Sequence, residues 1–336
     1  MAVVPGEEVA VDRVWMGWPS TKKVWYDQLP DVQEDIARLV RTVAKYTPVN
    51  LVVNGPHQAA TAAERIGSTL KPVTMLPNIV PDDMWLRDSG CVFRRSAQGG
   101  LECVKLNFNG WGGKQTHRHD AVVADQMAVH LGLPLISTQV VGEGGGVIQD
   151  GDGTLIANES SWVLQNRNPG KTRAQIEAEL LWAYGAQKMI WLPGIVGQDI
   201  TDAHIDATFQ FAGPGKLVMQ LPASGVDDEW AKEARAALAA LRRTTDAKGR
   251  KFSFVMMDYP TNAKSSHTGL LRSYVNYLVL TDAVINVAFG DSVADAKAKA
   301  NLQSLYPGRT VEMVRLDSIY AGGGGIHCVT QQQPAL

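Results

Sequence analysis

The stretch Gly322-Gly323-Gly324-Gly325-Ile326-His327-Cys328-Val329-Thr330, continued by Gln331-Gln332-Gln333, is the one from which the rest of the chain is read. Four glycines run into an apolar, strand-like segment. Glycine has no Cβ, so such a run permits unusual φ/ψ angles and close approach of a ligand to the backbone. A cysteine two residues into the following strand directs its sulfur at whatever space the glycines leave. The thiolate is the strongest nucleophile among ordinary side chains, which makes Cys328 a candidate for covalent catalysis. The same pattern also describes a buried core cysteine, and only the rest of the sequence separates the two readings.

Bulk properties narrow the classes. The 336 residues suffice for a large core. A net charge of −2 and a pI near 6.4 leave no basic footprint for nucleic acid and no polybasic patch for a membrane. No stretch approaches about eighteen consecutive apolar residues, and the first dozen residues lack a basic segment followed by an apolar run, so neither a span nor a signal peptide is expected. Cys91, Cys103 and Cys328 are odd in number and unclustered. They fit a reducing, cytoplasmic compartment better than a disulfide framework or a zinc site. Several of the nine tryptophans lie beside charged or glycine residues, which suits pocket walls as well as core.

Along the chain, apolar spacing predicts helices over 31–45, 121–133, 172–184, 228–242 and 294–305, and alanine content predicts one over 58–70. Strands are expected at 14–19, 50–53, 73–79, 102–106, 147–149, 154–158, 189–192, 207–211, 217–221, 252–257, 272–280, 283–287 and 311–315. Between them lie polar or glycine-rich loops. Asp82-Asp83-Met84-Trp85-Leu86-Arg87-Asp88-Ser89-Gly90 crowds acids around a tryptophan, as a solvated loop or a pocket wall would. Asn107 to Lys114 places Phe108 and Trp111 among glycines, and Glu143 leads the run Gly144-Gly145-Gly146. Gly170-Lys171-Thr172 is not a phosphate loop, because the position five residues before Gly170 is Gln165. His117 and His119 have metal-like spacing but no further ligands nearby, so no metal is expected. If 204–206 is extended, His204 and Asp206 share a face at the mouth of a strand. They suit chemistry or structure equally. Strand pairs alternate with helices at unequal spacing and without a Pro/Gly/Ser linker. This points to an α/β chain of β-β-α units closing as one domain over 1–336. Asp88, Glu143, His204, Asp206 and Cys328 each fall where a loop meets a strand, so a radial array would bring them to one central cavity.

Trp85-x-Arg87-Asp88-x-Gly90, Asn109-Gly110-Trp111-Gly112-Gly113-Lys114, Glu143-Gly144-Gly145, Asn166-Arg167-Asn168-Pro169, Thr201-Asp202-Ala203-His204-Ile205-Asp206 and the block from Gly322 to Gln332 resemble, in order and over nearly the whole chain, the agmatine deiminase family. That family also includes the bacterial-type peptidyl-arginine deiminases. The resemblance implies the pentein fold, a five-bladed α/β propeller with pseudo-fivefold ββαβ-type repeats and an axial active site. It implies hydrolysis of a guanidinium to a ureido group plus ammonia, without metal or cofactor. In that chemistry Asp88 and Asp206 grip the guanidinium. Cys328 attacks its carbon to give a thiouronium, and His204 acts as acid and then base, oriented by Glu143. Trp85, Trp111 and Gly325 are expected to contact substrate. His327 is assigned to the opposite face of a strand from Cys328.

The chain departs from the family's common pattern at Cys91, Gln115, Ile200 and Gly325, positions expected to read the substrate's tail. Agmatine is the default substrate. Arginine, peptidyl-arginine and other guanidino compounds remain open, as does a non-catalytic guanidinium-binding propeller. The expected partner is a small guanidino molecule, with no nucleic acid and no membrane; a homo-oligomer is left open.

Overall fold

The computed structural model describes residues 2–336. Its strands in chain order are β1 (Val11–Gly17), β2 (Val49–Val52), β3 (Val73–Leu76), β4 (Val92–Arg95), β5 (Leu101–Lys105), β6 (Leu135–Ser137), β7 (Val147–Gln149) and β8 (Thr154–Asn158). There follow β9 (Lys188–Leu192), β10 (Phe209–Phe211), β11 (Lys216–Gln220), β12 (Ser253–Met257), β13 (Leu278–Val279), β14 (Ala283–Val287), β15 (Thr310–Val314) and β16 (Thr330–Pro334). They form five separate sheets, β4-β5-β6, β7-β8-β9, β10-β11-β12, β13-β14-β15 and β16-β1-β2-β3. In each, an antiparallel pair is followed by a helix and a parallel third strand. This is the expected ββαβ repeat. The fifth sheet is assembled from both ends of the chain, with Met16 opposite Thr330 and Val14 opposite Gln332.

Local chemistry explains the helices. Leu29–Val43 starts with Pro30 in its first turn and buries Val32, Ile36, Leu39, Val40 and Val43 along one stripe. Thr172 and Gln175 form a capping box for Arg173–Tyr184, which ends on left-handed Gly185. Asp228 caps Glu229–Arg243 and Asp291 caps Ser292–Leu305, each accepting a backbone N–H in the first turn. The apolar faces pack against the sheets in clusters such as Phe93 with Met127, Leu155 with Leu180, and Phe209 with Leu241. No helix among the described residues is long and apolar enough to cross a membrane.

Three expectations are corrected. The strand expected over 272–280 is only Leu278–Val279. Its polar groups are spent elsewhere: Ser273 Oγ donates to the Ala207 carbonyl (2.7 Å), and the Asn276 carbonyl accepts from His327 N–H (3.2 Å). Cys328 lies in a turn before β16 rather than within a strand, a turn closed by Val329 N–H to the Gly325 carbonyl (3.2 Å). His204 to Asp206 are not one extended segment. His204 is extended, and Ile205–Ala207 forms a short 3-10 turn.

Candidate active site

Every blade contributes to the centre from the same place, the segment just before its first strand. Asp88 precedes β4, Glu143 precedes β7, His204 and Asp206 precede β10, Asn276 precedes β13, and Cys328 precedes β16. The five residues expected from the sequence are thus brought together. The residue of the fourth blade, Asn276, was not anticipated. It lies in an apolar run, Tyr274-Val275-Asn276-Tyr277, and a buried amide there was the only available signal.

Asp88 is on a single helical turn, Leu86–Ser89, and is buried. Its Oδ1 accepts the Gly145 N–H (3.0 Å) and its Oδ2 the Trp111 indole N–H (2.9 Å). A Cβ on Gly145 would fall 2.8 Å from His204 Nδ1, 2.9 Å from Asp88 Oδ1 and 3.0 Å from Asp206 Oδ2, so this position admits only glycine. His204 faces Asp88 with Nδ1 (3.8 Å) and Glu143 with Nε2 (3.2 Å). Burial opposes its charging, but Asp88, Glu143 and Asp206 outweigh burial and raise its pKa to about 9. At neutral pH His204 is therefore an imidazolium. Glu143 is braced in turn by Arg167 Nε (2.9 Å), whose Nη1 donates to Asp202 (2.8 Å), itself paired with Lys114 (2.7 Å). Asp202 and Ala203 have φ of 61° and 67°, left-handed values that this buried ion network maintains immediately before His204.

Cys328 Sγ is 3.6 Å from Asp206 Oδ2 and accepts from Asn276 Nδ2 (3.3 Å). The Asn276 Oδ1 accepts the backbone N–H of both His327 (3.0 Å) and Cys328 (3.3 Å), which fixes the turn. Burial, then Asp206 and Asp88, hold the thiol pKa well above the ordinary range. Burial likewise raises Asp88. Asp206 is only 1% exposed, yet its Oδ1 has no hydrogen-bond partner among the described residues. A buried, unpaired carboxylate oxygen beside a thiol and an imidazolium is costly unless a donor completes it. A planar cation with several N–H groups has the complementary shape and charge.

Above this centre opens a cavity of about 750 Å³ lined by Trp85, Trp111, Gln115, Asp199, Ile200 and Arg272, among others. Trp85 is held by its indole N–H on Asp83 (3.1 Å), which also accepts from Gln115 (3.1 Å). Trp111 is held in left-handed geometry, φ 55°, with its indole on Asp88. Gly325 does not reach the cavity. A Cβ there would meet Asn276 Oδ1 at 2.5 Å and Tyr320 Cζ at 2.7 Å, so it is small for packing the cysteine turn, not for substrate. Cys91 is also remote, buried against the Phe93–Met127 cluster. Of the four departures from the family pattern, only Gln115 and Ile200 line the cavity. His117 lies against the Gln115 carbonyl (2.8 Å), and His119 against Asp82 (2.9 Å). His327 belongs to the same network as Cys328 and not to an opposite face, because its Nδ1 lies 2.7 Å from Asp206. The strand alternation assumed for it fails in a turn.

The family described as Porphyromonas-type peptidyl-arginine deiminase matches residues 3–334. A protein of Streptomyces coelicolor is 37% identical, the alignment covering 98% of each chain. The agmatine deiminase of Stutzerimonas stutzeri is 32% identical over 99% of this chain and 95% of its own. The solved structure of the agmatine deiminase of Enterococcus faecalis superposes with a TM-score of 0.90 at 27% identity, covering 99% of this chain and 96% of that one.

Proposed function

The chain belongs to the Porphyromonas-type peptidyl-arginine deiminase family, and from that premise we propose that it hydrolyses agmatine to N-carbamoylputrescine and ammonia, a step of putrescine biosynthesis. The observation that carries this reading is the unpaired Asp206 Oδ1, buried 1% exposed beside the Cys328 thiol. Asp88 and Asp206 grip the guanidinium nitrogens. The bound cation offsets the two carboxylates that hold the thiol protonated, so binding itself favours the thiolate, whose proton passes to solvent and ends on the released ammonia. Cys328 then adds to the guanidinium carbon. The tetrahedral adduct expels ammonia as its nitrogen takes a proton from His204, leaving a thiouronium on Cys328. Water, deprotonated by the now neutral His204, attacks that carbon. The C–S bond breaks as the adduct's hydroxyl proton passes to the departing sulfur, and the ureido product leaves with the Cys328 thiol and the His204 imidazolium restored. Glu143, fixed by Arg167, stabilises the imidazolium.

The three free thiols suit a reducing, cytoplasmic setting, and the five blades suit a single catalytic domain over 1–336. Trp85, Trp111, Asp199 and Asp228 line the way in and favour an amine-ended tail. Lys114 is spent on Asp202 and cannot serve a carboxylate. Arg272 favours a second reading. It lines the cavity over Tyr259, 5.7 Å from that ring, and forms no ion pair among the described residues. That guanidinium would receive the carboxylate of arginine or of an arginyl peptide's terminus. An ammonia-release screen over agmatine, arginine, guanidinobutyrate and arginyl peptides decides between them. Agmatine is expected to exceed arginine at least about tenfold in kcat/KM, roughly one uncompensated charge contact. Comparable values, or a preference for acids, would transfer the assignment to the second reading.

A further inference from the structure

A carboxylate from the N-terminal segment enters the back of the site, and the reaction above does not use it. Glu7 lies in a turn ahead of β1. Its oxygens face His327 Nε2 (2.9 and 3.1 Å), Arg87 Nη1 (3.3 Å), Gln210 Nε2 (2.9 Å) and Gln332 Nε2 (2.9 Å). The other His327 nitrogen, Nδ1, lies 2.7 Å from Asp206 Oδ2. A neutral imidazole carries hydrogen on one nitrogen only. With a carboxylate at each nitrogen, a neutral ring would set lone pair against lone pair on one side. The imidazolium satisfies both. The four groups therefore form one line, Glu7, His327, Asp206 and Cys328, that runs from the N-terminal segment to the nucleophile.

We propose that Glu7 is a positioning residue for the deimination: by holding His327 from behind, it fixes the Asp206 carboxylate beside Cys328 with Oδ1 left to the guanidinium. The inference rests on the deiminase reading. It also explains why Asp206 can remain buried next to Asp88 and Glu143, since His327 supplies the cation that those carboxylates lack on that side. The charged groups around His327 are Glu7, Asp206 and Arg87. Around Glu7 they are His327, Arg87 and Glu8, with Tyr184, Tyr277 and Tyr306 nearby. Burial and Arg87 lower the His327 pKa, while Glu7 and Asp206 outweigh them and raise it above the usual histidine value. Burial would raise Glu7, but His327 and Arg87 hold it well below the usual carboxylate range.

A merely structural Glu7, present to neutralise buried Arg87, is the competing role. Two variants with opposite expected signs separate them. Glu7→Gln removes the anion behind His327, so the ring should lose its proton at lower pH. Arg87→Gln removes the nearby cation, so the ring should keep its proton to higher pH. The ring is followed by NMR of 15N-histidine in the full chain, with His327 assigned by difference against His327→Gln. The expected result is a doubly protonated His327 at pH 7.5 in the wild type, a downward shift of at least about one pH unit in Glu7→Gln, and an upward shift in Arg87→Gln. With agmatine, Glu7→Gln should also lose at least about tenfold in kcat/KM. A neutral His327 in the wild type, or equal titration in all three proteins, overturns the proposal. So does full activity in Glu7→Gln. If the wild type releases no ammonia from any guanidine, the deiminase reading fails instead, and the NMR titration still tests the clamp.

Discussion

At the scale of single residues, the site is defined by one thiol among acids. Burial, Asp206 and Asp88 raise the Cys328 pKa well above the ordinary range, so the free enzyme holds a thiol at neutral pH. Alkylation of Cys328 by iodoacetamide should be slow at pH 7 and climb with pH beyond about 9, the upper side of the ordinary thiol range. Asp206→Asn and Asp88→Asn should each speed labelling at pH 7, and peptide mapping of the label checks both. Unchanged rates in both variants would mean the carboxylates do not govern the thiol. Cys328→Ala should abolish turnover, by several orders of magnitude as for any lost nucleophile. Cys91→Ala and Cys103→Ala should keep most activity, because both side chains lie in the core away from the cavity. Gly145→Ala places a methyl within 3.0 Å of His204, Asp88 and Asp206. Its expected loss in kcat is at least about a hundredfold, the cost of small misplacement of reacting groups, with circular dichroism unchanged.

Between residue and fold stand the loops that aim these side chains. Arg167 is buried between Glu143 and Asp202 and donates also to the Thr201 carbonyl (2.9 Å). Removing it leaves buried Glu143 with His204 and buried Asp202 with Lys114 as their remaining ionic partners among the described residues. Arg167→Met should cost about 3–5 kcal/mol of stability, as breaking a buried ion pair does, and should lower kcat through His204. Lowered melting with normal kcat would show that the brace does not reach the histidine. Asn276 ties three blades together, its own and those of Asp206 and Cys328. It donates to Cys328 Sγ and the Asp206 carbonyl and accepts from two N–H groups of the cysteine turn. The expected cost of Asn276→Ala is about 1–3 kcal/mol in denaturant unfolding, from the donors left unpaired. Its kcat should fall more than its KM rises.

For the whole molecule the decisive feature is closure. Val3 pairs with Arg95, and Arg95 Nη2 donates to the Ala335 carbonyl (2.8 Å), so both ends of the chain meet on one residue. A circular permutant joining residue 336 to residue 2 by a short flexible linker, opened at the exposed 248–249 turn, should fold and keep kcat/KM within about tenfold, as permutation at exposed loops generally allows. Deleting 330–336 should instead abolish activity and cooperative unfolding, because it removes β16 and with it the frame of the cysteine turn. Stability should also depend on pH at both ends of the range. The His204 pKa rises from 6.5 to about 9 on folding, so its contribution is full below 6.5 and is lost as pH climbs through 9. Glu7 is depressed, so its contribution is present above 4.5 and is lost as pH falls. Melting temperature against pH should therefore fall on both sides of neutrality. His204→Asn should flatten the alkaline side and Glu7→Gln the acid side.

Much of this was legible in the sequence. Apolar periodicity located the five blade helices to within a few residues, because one buried stripe per helix leaves a 3.6-residue signature. The ordered motifs around Asp88, Glu143, His204, Asp206 and Cys328 carried the family resemblance, and the structure gathers these five side chains at one centre. The strand over 272–280 was misread because Tyr274, Val275 and Tyr277 are as apolar as any strand, while their neighbours Ser273 and Asn276 bond across blades instead of along a ladder. His327 was misjudged on the assumption of an extended cysteine segment, and Gly325 because a departure from the family pattern beside the cysteine was expected to face the substrate. Sequence alone determined the alternation of helices with strand pairs and, through its ordered motifs, the family resemblance, whereas residue type and local spacing by themselves left Cys328 and His204 open between chemistry and structure. Only the tertiary structure decided that Glu7 and Asn276 reach the site and that Arg167 pairs with Glu143, because burial and charge pairing across five blades join residues as far apart as 7 and 327, and no local pattern records that contact.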